Sequence, residues 1–100
     1  MADTMTVYEP VDSDYGGGFS EAGTVMEPVL YVESTVLLRQ GHVLESGSSG
    51  LVFVDAVNTA NSAPITVGSK VVINGEELFC RKCTPLKTGD TTHHWEVEVG

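Results

Sequence analysis

One stretch of the chain decides the fold: Pro64-Ile-Thr-Val-Gly-Ser-Lys-Val-Val-Ile-Asn-Gly-Glu-Glu-Leu-Phe-Cys80. Asn74-Gly75 stands between two apolar runs, and both central residues of a type I′ turn need a positive φ, which Asn and Gly tolerate best. The arm before this turn is β-branched, and the arm after it, 76–84, carries apolar residues without helical spacing. Asn74 and Gly75 therefore predict a two-residue β-hairpin.

The end of the chain, His93-His-Trp-Glu-Val-Glu-Val99, alternates strictly between its two faces. Trp95, Val97 and Val99 share one face of a strand, and the two glutamates lie on the other. We expect the first face to be buried, with Trp95 anchored in the core, and the second to be exposed to water. With the preceding hairpin, this strand predicts a three-strand antiparallel unit.

Size and composition describe a single acidic domain. One hundred residues, 41% of them hydrophobic, can bury a modest core. Fourteen acidic residues against five basic ones leave a formal charge of -9, which argues against binding of duplex nucleic acid. No apolar run approaches the roughly 20 residues that span a membrane, and the N-terminus lacks a signal-peptide pattern. We expect a protein that is neither secreted nor bound to a membrane.

No segment has apolar residues at helical spacing over three turns, and turn signals separate short β-rich runs. The predicted fold is all-β, a small antiparallel β-barrel or sandwich with flexible Gly/Ser-rich loops and little or no helix. Residues 1–100 form one domain, with an N-terminal arm and Gly-rich loop at 1–23 and the barrel core at 24–99. Besides the C-terminal unit, strands are expected at 5–9, 24–32, 35–39, 42–45 and 51–57, with 24–39 as one long bent strand in the alternative.

Two residues within these strands carry specific expectations. Pro28 cannot donate a hydrogen bond to a β-ladder, so its strand lies at an edge or carries a bulge. Asp55 is the one acidic residue in an apolar strand, and we expect it to accept hydrogen bonds from the irregular connector that follows, 58–64.

A zinc site is the first chemistry to weigh, because Cys80-Arg-Lys-Cys83 is followed by His93 and His94. In a regular strand Cys80 and Cys83 point to opposite faces, since their offset is odd. The adjacent histidines also diverge, and we expect His93 to be partly buried and His94 to be exposed. We therefore predict free thiols and no metal or other cofactor, with these four residues as weak candidates only.

The sequence contains no set of residues suited to nucleophilic catalysis. No serine lies in a Gly-x-Ser-x-Gly elbow, and the serines near Gly50 stand in a flexible Gly/Ser stretch. We predict no catalytic residue and no enzymatic activity.

Two Gly/Ser-rich loops, 13–20 and 46–50, are the candidate interaction sites. Tyr15 and Phe19 flank a triple glycine and suit a loop that docks two aromatic anchors on a partner. In the alternative, both rings fold back on their own barrel. The candidate interface residues are Tyr15, Gly16, Gly17, Gly18, Phe19, Ser46, Gly47, Ser48, Ser49 and Gly50.

Four motifs in the second half of the chain resemble those of the small minor capsid proteins of tailed bacteriophages. They are Leu51-Val-Phe-Val-Asp55, Pro64 with Val67-Gly68, Val71-Val-Ile-Asn-Gly75, and His93-His-Trp-Glu-Val-Glu98. The Cys80 and Cys83 pair departs from the family pattern, and the first half of the chain shows little resemblance to it.

The resemblance implies a structural virion protein at the neck, made in the host cytoplasm. Such a protein is a head-tail connector of the head-closure or stopper type, which forms a ring between the portal-side adaptor and the tail. Its partners are its own copies, the adaptor and tail proteins, and packaged DNA that passes without specific binding. Two alternatives stay open: a zinc-dependent binding module built on Cys80, Cys83 and a histidine, and a tail-associated β-domain that binds a host-surface ligand.

Overall fold

The computed structural model describes residues 3–13, 16–20, 22–39, 41 and 48–100. Within them the chain forms eight strands and one short helix. The strands are β1 Asp3–Tyr8, β2 Pro10–Ser13, β3 Gly16–Phe19, β4 Thr24–Glu33, β5 Gly50–Asp55, β6 Lys70–Ile73, β7 Glu76–Thr88 and β8 Thr91–Val99, and the helix is α1 Ser34–Arg39. The strand expected at 42–45 lies outside the described residues.

Six strands close into an antiparallel barrel in the order β1-β4-β5-β8-β7-β6, with β6 returning to β1. The predicted all-β fold is confirmed, and of the two architectures it is the barrel. Each barrel strand has a neighbour on both sides, but not along its whole length: β6 pairs with 76–79 of β7, whereas 82–88 pair with β8 alone.

The Asn74-Gly75 hairpin is present as predicted. Asn74 has φ 53° and Gly75 has φ 83°, and the flanking residues Ile73 and Glu76 pair across the turn. The Asn74 side-chain amide donates to the carboxylate of Asp3 at 3.3 Å, which ties the turn to the first strand. Strand β8 pairs with β7 on one side and with β5 on the other, so the predicted C-terminal unit is confirmed and forms half of the barrel.

The core fills the barrel interior. Val97 and Val99 are fully buried there, as the alternation in β8 predicts. Trp95 packs against this core from a half-buried position. The buried members of the core are Met5, Val7, Met26, Val29, Val52, Val54, Ile65, Val71, Ile73, Leu78, Cys80, Val97 and Val99.

Strand β4 carries the bulge that Pro28 predicts. The register between β1 and β4 slips between Asp3 and Met5, so Glu27 and Pro28 together oppose one residue of β1. Beyond the bulge, β4 pairs with β5 from Leu30 onward. The bulge thus lies where β4 passes from one neighbour to the next.

The expectation of a strand at 35–39 is wrong, because Ser34–Arg39 form the helix α1. The helix packs on β4 and β5 from outside the barrel. Leu37 and Leu51 are both buried although neither belongs to the core cluster. Burial of these leucines stabilises the helical packing by more than the β-branched residues of the segment favour a strand.

The expectation of a loop at 13–20 is also wrong in part. Strands β2 and β3 pair in a two-stranded antiparallel sheet, with Val11 opposite Gly18 and Pro10 opposite Phe19. The glycines take part because ladder hydrogen bonds come from the backbone, which glycine supplies as well as any other residue. Tyr15 lies outside the described residues.

The second Gly/Ser stretch, 46–50, ends in a strand of the barrel wall. Gly50 is the first residue of β5 and is buried, which corrects its assignment to a flexible loop. A Cβ atom at Gly50 would lie 2.5 Å from the Tyr31 ring and 2.7 Å from the Val32 carbonyl oxygen, so only glycine allows this close packing. Ser49 also joins the ladder by donating its N–H to the Val99 carbonyl. Ser46 and Gly47 lie outside the described residues.

Candidate interaction surfaces

The first candidate surface is the two-stranded sheet of β2 and β3, which we call the arm. In the described part of the chain these strands pair with each other and with no barrel strand, so both outer edges of the arm are unpaired. Val11 in β2 is 42% exposed. Unpaired edges and exposed apolar side chains are features through which β-proteins associate.

The base of the arm rests on its own barrel through Phe19. The Phe19 and Phe79 rings lie 5.9 Å apart between centroids. The Lys70 ammonium lies 5.5 Å from the Phe19 centroid and 4.8 Å from that of Tyr8. At partly exposed sites such cation–π contacts contribute roughly 0.5–1 kcal/mol each. The Phe19 ring therefore folds back on its own barrel, as in the alternative considered from the sequence. A role of Phe19 in docking a partner stays a prediction.

The second candidate surface is an apolar pocket of about 300 Å³, open to solvent, between the 64–67 segment and the β7–β8 hairpin. Its lining includes Trp95, Cys83 and two prolines, and Lys87 is the one charged residue that lines it. The lining residues are Pro64, Ile65, Val67, Cys83, Pro85, Lys87, Thr92 and Trp95.

Both cysteines face the inside of the barrel, which corrects the expectation that they point to opposite faces. Strand β7 has a bulge at Arg81, because Cys80 pairs with Val99 whereas Lys82 pairs with Glu98. The extra residue reverses the alternation, so the offset of three no longer separates the two thiols. Ile65 holds both of them: its N–H donates to the Cys83 Sγ at 3.5 Å, and the Cys80 thiol lies 3.9 Å from its carbonyl oxygen.

Burial makes the Cys80 thiol a poor acid. Loss of hydration, with the nearby Cys83 as a smaller cause, raises the pKa of Cys80 to about 11. Thiolates are the species that bind zinc and react with electrophiles, so Cys80 is suited to packing rather than to chemistry. Within the described residues no three His, Cys, Asp or Glu side chains come together as a metal would need. The zinc alternative therefore gains no support from this part of the chain.

The two histidines also differ from expectation. His93 is exposed, because β5 ends at Asp55 opposite His94 and β8 continues past it. His94 is half-buried on the outer face, where its ring lies 6.5 Å from that of Phe53. Alternation along β8 places the two histidines on opposite faces, as predicted. It does not show that β5 ends opposite His94, which is what leaves His93 exposed.

Asp55 has the role that its position in the sequence predicts. Its Oδ1 atom accepts hydrogen bonds from the N–H groups of Val57, at 2.8 Å, and Asn58, at 2.9 Å. These bonds, with that from Asn58 as the largest cause, hold the pKa of the Asp55 carboxyl below its ordinary value. The carboxylate thus fixes the turn that leads into the irregular connector.

The sequence contains no local signal for the pocket. Its walls come from a segment before the hairpin and from two strands after it, and Cys83 reaches it only through the bulge at Arg81. Trp95 was identified from the alternation of β8, but as a core residue rather than as the wall of an open pocket. Only the pairing of distant segments brings these side chains together.

The described residues thus define a small closed β-barrel with a two-stranded arm and an open apolar pocket. The one helix in the described residues is too short to cross a membrane. The chain belongs to the minor capsid protein family, since the model of that family, described as "Minor capsid protein", matches residues 4–99. A comparison with curated proteins gave no match.

The match covers the arm and β1 as well as the four motifs of the second half, so it extends well beyond the stretch that carried the resemblance in sequence. The protein is therefore a bacteriophage structural protein and a component of the virion. Membership in a structural capsid family favours a non-enzymatic role.

Proposed function

We propose that this minor capsid protein is a head-closure connector, which forms a ring at the neck between the portal-side adaptor and the tail. The observation that carries the proposal is the family match over residues 4–99 to a chain folded as a small closed barrel. A barrel of this size supplies a rigid block, and its arm and pocket supply surfaces for neighbours on different sides.

Closure of the barrel limits how copies can join. Closure gives each barrel strand a neighbour on both sides over part of its length, whereas both outer edges of the arm are unpaired throughout in the described residues, so the arm is suited to strand addition between copies. An interface between two different surfaces of one chain closes into a ring when its rotation divides a full turn. The arm and the pocket are two such surfaces.

The charge of the chain fits a neck that DNA must traverse. Fourteen acidic residues against five basic ones give the protein a net charge of -9, and this charge repels phosphate. A ring with a cationic lumen would retain DNA through its backbone, as cationic proteins do. An acidic ring lets the genome pass without specific binding.

The test is a phage whose copy of this gene is inactivated. We expect heads and complete tails to accumulate unjoined, and purified protein to restore joining when it is added to the two. A reconstruction of the wild-type neck should contain a ring of barrels between the adaptor and the tail. Failure to assemble the capsid shell or the tail itself would contradict the proposal, as would a neck without this protein.

Elemental analysis of protein purified without chelator addresses the zinc alternative separately. We expect no stoichiometric metal, and Cys80→Ser or Cys83→Ser should leave head–tail joining intact. About one zinc per chain, lost with either substitution, would instead favour the metal-dependent module.

A further inference from the structure

The pocket combines apolar walls with an ammonium group at its rim. Trp95, Pro85 and Ile65 line the cavity, and the exposed Lys87 forms no ion pair within the described part of the chain. A volume of about 300 Å³ lies at the lower end of the range for ligand pockets. Its chemistry fits an apolar side chain that is followed or preceded by a carboxylate.

The basic residues of the chain all lie in its later part, at 39–100, together with seven of the fourteen acidic residues. The first 38 residues contain the other seven acidic residues and none of the five basic ones. Three of the five basic residues, Arg81, Lys82 and Lys87, lie in β7, which borders the pocket. The arm belongs to the acidic end, and the pocket belongs to the strand with the most basic residues.

The arm offers a side chain that matches the pocket. Val11 is 42% exposed on β2, and Glu9, Asp12 and Asp14 are its near neighbours in sequence. Both outer edges of the arm are unpaired in the described residues, so its backbone can also pair with an extended segment beside the pocket.

We infer that the pocket formed by Trp95, Cys83 and Lys87 takes the arm of a second copy of the chain, with Val11 in the cavity and the carboxylate of Glu9, which precedes the arm, near Lys87. This inference rests on the proposed ring and names the contact that joins its subunits. A second copy is the occupant because one chain carries both complementary surfaces, which is what a head-to-tail contact needs.

A disulfide trap tests the contact, because the native Cys83 already lines the pocket. In Val11→Cys protein, a mild oxidant such as diamide should link the new thiol to Cys83 of the next copy and accept the two electrons and two protons that the thiols lose. We expect a ladder of linked multimers, both in concentrated protein and in purified particles. Peptide mapping of a mixture of light and heavy isotope-labelled chains should find the link between positions 11 and 83 of different chains.

Val25→Cys is the matched control, since Val25 and Val11 are each 42% exposed. Neither Val25→Cys nor Val11→Cys combined with Cys83→Ser should form the ladder. A link within a single chain would overturn the inference, and so would equal ladders from Val25→Cys and Val11→Cys.

Charge provides a second readout. Lys87→Glu should slow cross-linking of the Val11→Cys protein by about two- to fivefold, in keeping with the range for exposed ion pairs. Glu9→Lys added to Lys87→Glu should recover part of the rate. An unchanged cross-linking rate with Lys87→Glu would show that Lys87 does not attract a carboxylate of the second copy, and it would overturn the inference.

The outcomes separate this inference from the connector role. Particles that carry the protein at the neck but lack the link between positions 11 and 83 would refute the docking contact and leave the connector role standing. A link that forms between copies of a protein located elsewhere in the virion would refute the connector role and leave the contact standing.

Discussion

Thr59 donates its hydroxyl proton to the carbonyl oxygen of Pro28 at 2.7 Å, and the same hydroxyl accepts a hydrogen bond from the Asp55 N–H at 3.0 Å. The Thr59 side chain is 3% exposed. Ala60 beside it donates its N–H to the Glu27 carbonyl at 2.9 Å. One buried hydroxyl thus fastens the connector after β5 to the bulge of β4.

Replacement of Thr59 by valine should destabilise the barrel. Valine keeps the shape but leaves the Pro28 carbonyl and the Asp55 N–H without this partner, at a cost of about 1–3 kcal/mol. Urea unfolding monitored by tryptophan fluorescence measures the change. Thr59→Ser, which retains the hydroxyl, is the control and should lose less than half as much. Equal losses for both variants would show that the methyl group, not the hydroxyl, matters.

Asp55 should make stability depend on pH at the acidic end. Its native pKa lies below its ordinary value of 3.8, so its contribution is present above that value and is lost as pH falls through the lowered native pKa. Asp55→Ala should therefore be less stable than wild type near neutral pH, and the gap should narrow as the pH falls below 3.8. Asp90→Ala, at an exposed turn residue, is the control and should show no such gap. A gap for Asp55→Ala that is independent of pH would contradict the role of the carboxylate.

The two thiols should differ in reactivity. Burial raises the pKa of Cys80 to about 11, whereas Cys83 lines the open pocket. Near pH 8 only about one Cys80 thiol in a thousand is ionised, and thiolate is the reactive form. Iodoacetamide should therefore modify Cys83 at least about tenfold faster than Cys80, as read by peptide mass spectrometry. In urea the two rates should converge, and similar rates in the native protein would contradict the described burial.

Trp95→Ala should weaken the fold without abolishing it. Truncation of a fully buried aromatic side chain lowers the free energy of unfolding by roughly 3–5 kcal/mol. Because Trp95 is only half-buried, we expect its truncation to lower that free energy by about 2–3 kcal/mol. Thermal unfolding measures the loss. Trp95→Phe keeps much of the apolar contact and should lose less, and Val57→Ala, at a site that is 85% exposed, should lose nothing measurable. An unchanged melting temperature for Trp95→Ala would show that Trp95 does not pack on the core. It would also contradict the described register of β8.

Much of the barrel can be predicted from neighbouring residues alone. Asn74 and Gly75 specify their turn because each tolerates a positive φ, whatever surrounds it. Val97 and Val99 face the core because side chains alternate along any strand. Asp55 and Pro28 act on the backbone within a few residues, and both have the effects that their chemistry predicts.

Other features were decided only by tertiary structure. The segment Ser34–Arg39 is helical because Leu37 is buried outside the barrel, and the glycines of β3 form a strand because β2 supplies their partners. Cys83 turns inward because β7 shifts register against β8 at Arg81, and that shift creates the pocket wall. Turn preference and alternation act between adjacent residues, so the sequence by itself determined the hairpin and the buried face of β8. Register, helix docking and the pocket depend on contacts between segments far apart in the chain, and these contacts exist only once the barrel has closed.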